Sequence, residues 1–128
     1  MTDQEVNDYF WGSIGAGAMK LPYCKVCKKL FFHPRPICPD CWTDVEEWRP
    51  VSGRGTVWSH SVVRFPLLRG PWQERLPYTV AFVTLEEGPR VLSNIVDCEP
   101  ERVGAGMPVE MVFRERDGQR LYLFKPAA

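Results

Sequence analysis

Four cysteines constrain this chain more than any other feature. Cys24, Cys27, Cys38 and Cys41 all fall in one stretch, "YCKVCKKLFFHPRPICPDCW". Each pair leaves a two-residue gap, so a tight turn can aim both sulfurs at one centre, and two such turns supply the four thiolates that a tetrahedral ion takes. The spacing predicts two knuckles flanking a short hairpin and closed around a metal. Zinc suits the set, and iron in the same four-sulfur geometry is the alternative. Four ligands leave no open position, so the metal is expected to be structural. His33 is surplus to the set and reads as an exposed loop histidine.

Charge argues about partners. Sixteen basic and sixteen acidic side chains in 128 residues cancel to a formal net charge of zero, so the long-range field that concentrates a protein on nucleic acid is missing. Lys20, Lys25, Lys28, Lys29 and Arg35 do crowd the cysteine module, with Phe31, Phe32 and Trp42 among them. Asp40, Asp44, Glu46 and Glu47 follow at once. The simpler duty of these lysines is to offset the double negative charge of four thiolates around a divalent ion. The acidic start, "MTDQEVNDYFWG", has no signal-peptide pattern, and no later run approaches the roughly 20 apolar residues that span a bilayer. A soluble, cytoplasmic protein without a disulfide framework is expected.

Residues 1–20 read as a helical segment. Val6, Tyr9, Phe10 and Ile14 recur at helical spacing, Thr2 with Glu5 fits a capping box, and "GAGA" is expected to weaken or end the run. Phe10, Trp11 and Ile14 offer more apolar surface than a lone helix hides, so this face packs on the rest of the chain or docks on a partner. Residues 21–48 form the cysteine module and 49–128 a β-rich half. Strands are expected near 55–65, 78–85, 90–96, 109–114 and 121–125, joined by Gly-containing turns at "EEGP" and "RDGQ". The second, "YTVAFVTL", is apolar on both faces, which suits a central strand or one covered by another element. Five strands without crossover helices suit a small closed barrel of the OB type.

The chemistry-bearing residues of the β half form no catalytic constellation. His60 sits in a strand without a nameable partner carboxylate or nucleophile, and Cys98, in "VDCEP", reads as a small apolar residue at a strand end. The barrel therefore reads as a binding surface. Its one long connection, "PLLRGPWQERLP", holds three prolines, two arginines and Trp72, and loops of that length are usually functional or mobile.

Taken in order, the helix ending in "YFW", then "LPYCKVCKKLFFHPRPICPDC", "EWRPVSGRGTVWSHSVV", "LPYTVAFVTLEEGPRVLSNIVD" and "GAGMPVEMVF" resemble one known family. This is the family of rubredoxin-like zinc ribbons fused to an OB-fold, catalogued as a domain of unknown function numbered thirty-five. Cys-Pro-x-Cys at 38–41, Ser-Gly-Arg-Gly at 52–55 and Pro77-Tyr78 fit its pattern; Lys28 and Trp42 depart from it, standing where a glycine often follows a knuckle. The resemblance implies a mainly β fold and a non-catalytic accessory subunit in acyl-CoA metabolism, including sterol side-chain breakdown. The implied assembly is a hetero-oligomer with a thiolase, a thiolase-like retro-aldolase or an acyl-CoA hydratase.

By that analogy the helix and ribbon engage the partner, with Tyr9, Phe10, Trp11, Phe31 and Phe32 as contact residues. The barrel then lies near the CoA moiety, where Arg54, Arg69 and Arg75 meet phosphates and Trp72 stacks on a base or lines an acyl channel. The alternative from a different class is a single-stranded nucleic-acid binder, since OB barrels also serve that end. A self-sufficient enzyme using His60 or Cys98 is a third.

Overall fold

The computed structural model describes residues 2–64, 77–116 and 118–127. The chain opens with helix α1, Asp3–Gly15, started by the expected capping box: the Glu5 amide donates to Thr2 Oγ1 at 3.2 Å and the Thr2 amide to Glu5 Oε1 at 3.0 Å. The Thr2 backbone hydrogen bond holds the Glu5 carboxyl below its ordinary range. Val6, Phe10 and Ile14, four residues apart, are its buried face, as the 3.6-residue period requires. Among the described residues no helix is long and apolar enough to cross a membrane.

Two sheets follow. Strands β1 (Lys20–Cys24), β2 (Lys29–Leu30) and β3 (Glu47–Pro50) form a small antiparallel sheet in the order β2-β1-β3. Strands β4 (Arg54–Val63), β5 (Tyr78–Leu85), β6 (Arg90–Ile95), β7 (Pro108–Arg116) and β8 (Gln119–Pro126) close into a barrel in the order β4-β5-β6-β8-β7. All neighbours are antiparallel except β6 and β8, which run parallel where Ile95 faces Phe124. This is the five-stranded OB barrel that the turn signals predict. β7 extends one residue earlier and two later than its expected span, because its pairing with β8 continues from Val109 to Arg116.

β5 is central, paired with β4 on one side and β6 on the other. Among the described residues no element covers its outer face, however: Thr79, Ala81, Val83 and Leu85 point inward and are buried, while Phe82 is exposed. The double apolarity of "YTVAFVTL" therefore marks a central strand with an open apolar face. Where β4 meets β5, Val57 pairs with Val83 and Ser59 with Phe82, which leaves Trp58 as a bulge residue. Gly55 permits the close approach of these strands, since a Cβ there meets the Thr84 carbonyl oxygen at 2.6 Å.

One apolar cluster unites the modules. Val57, Val83, Val91, Val109 and Phe124 of the barrel share it with Leu21 and Met19 beside the ribbon and with Phe10 and Ile14 of α1. Phe10 is its hinge point, with ring centroids 5.2 Å from Trp11, 6.2 Å from Phe32 and 6.0 Å from Tyr122. Burial pushes the Tyr122 phenol up to about 12, and its hydroxyl donates to the Leu92 carbonyl at 2.9 Å. The Ser-Gly-Arg-Gly turn clamps the barrel's first hairpin: Glu86 accepts from Arg54 Nε at 2.8 Å and from Ser52 Oγ at 3.1 Å. These contacts hold the Glu86 carboxyl below its ordinary range.

Truncating Phe10 leaves a cavity among three rings from three modules, so Phe10→Ala is expected to cost about 3 kcal/mol of unfolding free energy. Denaturant unfolding of the metal-loaded protein measures this. An unchanged midpoint contradicts the shared core.

Candidate metal centre

The two knuckles share one backbone turn. In the first, the Lys28 amide donates to the Cys24 carbonyl at 2.7 Å; in the second, the Trp42 amide donates to the Cys38 carbonyl at 2.9 Å. Both residues closing these turns lie in the left-handed region, Lys28 at φ 57° and Trp42 at φ 65°. That conformation crowds a Cβ, which explains why glycine is common there. The departure seen in the sequence thus changes the residue and keeps the turn.

The turns converge the sulfurs. Cys24 Sγ lies 3.4 Å from Cys41 Sγ, and Cys27 Sγ lies 3.9 Å from Cys38 Sγ. All four ligand atoms fall within 4.8 Å of one another. Tetrahedral zinc with Zn–S bonds near 2.3 Å spaces its sulfurs by about 3.8 Å, so the quartet fits one ion. The Cys27 amide points at Cys24 Sγ at 3.3 Å, and Thr43 Oγ1 stands 3.2 Å from Cys41 Sγ, where its hydroxyl can donate to a thiolate. Crowding opposes joint ionisation: the hydrogen bond with Cys41 pushes Cys27 up to about 12, while Thr43 draws Cys41 down to about 6. A bound divalent cation removes that opposition by favouring every thiolate.

Around the quartet, Lys29 pairs with Asp40 and so ties the first knuckle to the second, and Lys25 pairs with Glu46 at 3.6 Å. The Asp40 carboxylate raises the Lys29 ammonium above its usual range. His33 is exposed and outside the quartet, as its surplus status predicts. Cys98 is half-buried and its thiol points at the Glu99 carbonyl at 3.5 Å. His60 is exposed on β4. None of the three joins the cluster.

The residues expected to meet a partner divide. Phe10, 3% exposed, and Phe31, 6% exposed, lie in the interior. They are corrected from docking residues to core residues: Phe10 is buried in the core that α1 shares with the barrel, and Phe31 in the ribbon's own cluster with Cys24 and Cys38. Trp11 and Phe32 are half-buried against the same core. Tyr9 remains exposed, its ring 4.7 Å from that of Trp48. Arg54, expected to meet phosphate, is engaged with Glu86. Arg69, Trp72 and Arg75 lie outside the described residues.

What the sequence reading missed is the apolar surface facing outward. Trp42 is 81% exposed beside the second knuckle, near Ile37. On the barrel, Trp58 is 53%, Phe82 42% and Leu92 44% exposed. The one available signal was the apolar outer register of "YTVAFVTL".

Two outcomes test the centre. Cys38→Ser is expected to drop zinc content below one equivalent and loosen the ribbon while the barrel stays folded; bound metal measured by mass spectrometry, with circular dichroism, checks it, and a full equivalent at equal affinity contradicts the ligand set. Trp42→Gly relieves a left-handed backbone without losing buried contact, so it is expected to raise stability by about 1 kcal/mol. A lowered denaturation midpoint in the metal-loaded protein contradicts that.

Comparison with known proteins agrees with this architecture. Residues 48–114 match the family model described as the ChsH2 C-terminal OB-fold domain. A DUF35 domain-containing scaffold protein of Methanocaldococcus jannaschii is 42% identical over 112 residues, covering 80% of this chain and 77% of the relative. A probable enoyl-CoA hydratase alpha subunit of Thermomonospora curvata is 38% identical over 81% of this chain, which spans 32% of that longer relative. The benzoylsuccinyl-CoA thiolase subunit BbsA of Thauera aromatica is 29% identical over 80% of this chain and 70% of its own length. The solved structure of the Ltp2-ChsH2(DUF35) aldolase superposes with a TM-score of 0.83 at 32% identity, covering 95% of this chain and 94% of the matched chain. The helix, four-cysteine ribbon and OB barrel, with these similarities along most of their length, make this chain a member of the DUF35 family.

Proposed function

We propose that the chain is a non-catalytic scaffold subunit of an acyl-CoA-processing complex. In this reading it docks on a thiolase, a thiolase-like aldolase or an acyl-CoA hydratase subunit and helps complete that enzyme's acyl-CoA site. The observation that carries the reading is its likeness, over 95% of the chain, to the DUF35 member of an aldolase. Relatives named as a scaffold, a thiolase subunit and a hydratase subunit point the same way.

The site chemistry is consistent with it. A four-thiolate sphere is complete, so zinc here acts as a staple that fixes the shape of the ribbon. Exposed aromatic side chains on ribbon and barrel offer contact surface, and interfaces favour Trp, Phe and Arg over other surface residues. Arg69, Trp72 and Arg75 remain part of the proposal as groups toward a CoA moiety. Arg54, tied to Glu86, leaves it.

The test is assembly. The affinity-tagged chain, expressed in its source organism, is expected to copurify in stoichiometric amount with a thiolase-type or hydratase-type subunit. That subunit's acyl-CoA turnover or thermal midpoint is expected to fall when the chain is omitted. An enzyme whose mass, turnover and stability are the same with and without this chain contradicts the scaffold role.

A further inference from the structure

The outer face of the barrel carries a second feature that the metal centre does not explain. Cross-strand pairing sets Ser59, Phe82 and Leu92 in one outward row and Thr56, Thr84 and Arg90 in the next. The row on the other side, across Val80, adds only uncharged residues. The bulge at Trp58 turns its indole onto the same face, where it meets the Phe82 ring edge-on at 6.2 Å. Thus, among the described residues, Arg90 is the one charge in these three rows, and the next charges on the face, Arg54 and Glu86 at its end, neutralise each other.

A sheet face left to water ordinarily alternates its buried apolar positions with charged or polar ones. Here the outward positions at the centre of β5 and β6 are Phe and Leu. Depletion of charge with Trp, Phe and Arg in the middle and Ser and Thr at the edge is the composition of an interface core with its rim.

Arg90 says what kind of surface belongs opposite. Its guanidinium lies 4.0 Å from the Trp58 ring centroid and its Nε is 3.4 Å from Thr84 Oγ1. No carboxylate pairs with it among the described residues, although Arg54, on the same strand as Trp58, has Glu86. A single cation over an indole, at the side of an apolar centre formed by Phe82 and Leu92, complements a carboxylate set in an apolar surface. A phosphate backbone needs a track of cations, and among the described residues this face has one that no carboxylate neutralises. The chemistry therefore favours a protein.

We propose that the outer face of β4, β5 and β6, centred on Trp58, Phe82 and Leu92, is the docking surface for the partner enzyme subunit. That subunit presents an apolar patch bearing a carboxylate to Arg90. This rests on the scaffold reading above and deepens it by assigning the contact to the barrel. Stable interfaces bury about 800 Å² on each partner, more than three side chains supply, so the cluster is the core of a wider contact.

The experiment uses the full chain and the acyl-CoA enzyme subunit that copurifies with it, identified by mass and then expressed alone. Phe82→Glu and Leu92→Glu are each expected to weaken the complex at least about 30-fold, as hot-spot losses do. Because both side chains are exposed, the thermal midpoint of the isolated chain is expected to stay unchanged, and either variant suffices if the other misfolds. Arg90→Glu is expected to weaken binding and to reverse its dependence on salt. Unchanged affinity in the folded Phe82 and Leu92 variants overturns the surface while the scaffold reading stands. Failure of any acyl-CoA enzyme subunit to bind the unaltered chain overturns both. Two further outcomes overturn it in favour of another occupant. One is salt-sensitive binding of single-stranded oligothymidylate that Phe82→Glu abolishes; the other is concentration-dependent self-association that the same variant abolishes.

Discussion

Convergence of four thiolates on one centre is the constraint from which the rest of this structure hangs. The ribbon between Lys20 and Pro50 buries little of its own: beyond the core it shares with α1 and the barrel, its separate cluster is Cys24, Phe31 and Cys38 with a few half-buried neighbours. So small a core cannot hold a module together without a staple. Once the knuckles close, β1 is held straight between β2 and β3, and Leu21 and Met19 are presented to α1 and the barrel. A metal held by this quartet would thereby help position the helix that packs on the barrel.

The same logic divides the aromatic residues. A small protein with an interior shared among three modules needs large side chains where the modules meet, and Phe10, Phe32, Trp11 and Tyr122 meet those junctions. Trp58, Phe82, Leu92 and Trp42 serve no junction among the described residues. Trp42 even occupies a backbone conformation that disfavours it. A side chain kept exposed at the expense of backbone comfort is more naturally explained by something outside the chain than by the fold.

Much of the architecture was legible because its causes are local. The capping box at Thr2 and Glu5, the Cys-x-x-Cys gaps and the Gly-bearing hairpins each act over a few residues, and each predicted the element found. The metal quartet was legible for the same reason: two tight turns suffice to aim each pair. Less legible was the fate of apolar side chains. Phe10 and Phe31 read as docking residues and are buried, and for Phe10 the answer depended on strands distant in sequence.

From the sequence alone follow the convergent cysteine quartet, the helix and its start, the strands and the class of barrel, since these rest on spacing and on short-range sterics. Only the tertiary structure decided which apolar surface is left over. Strand pairing has period two, so the register of β5 against β4 and β6 chooses the side on which Phe82 and Leu92 stand, and one extra residue at Trp58 sends its indole to that side as well. The packing of α1 on β8 hides Phe10, while Trp58, Phe82 and Leu92 on β4, β5 and β6 stay exposed. Whether an aromatic residue holds the fold together or faces a partner is a property of that long-range geometry, and no local pattern contains it.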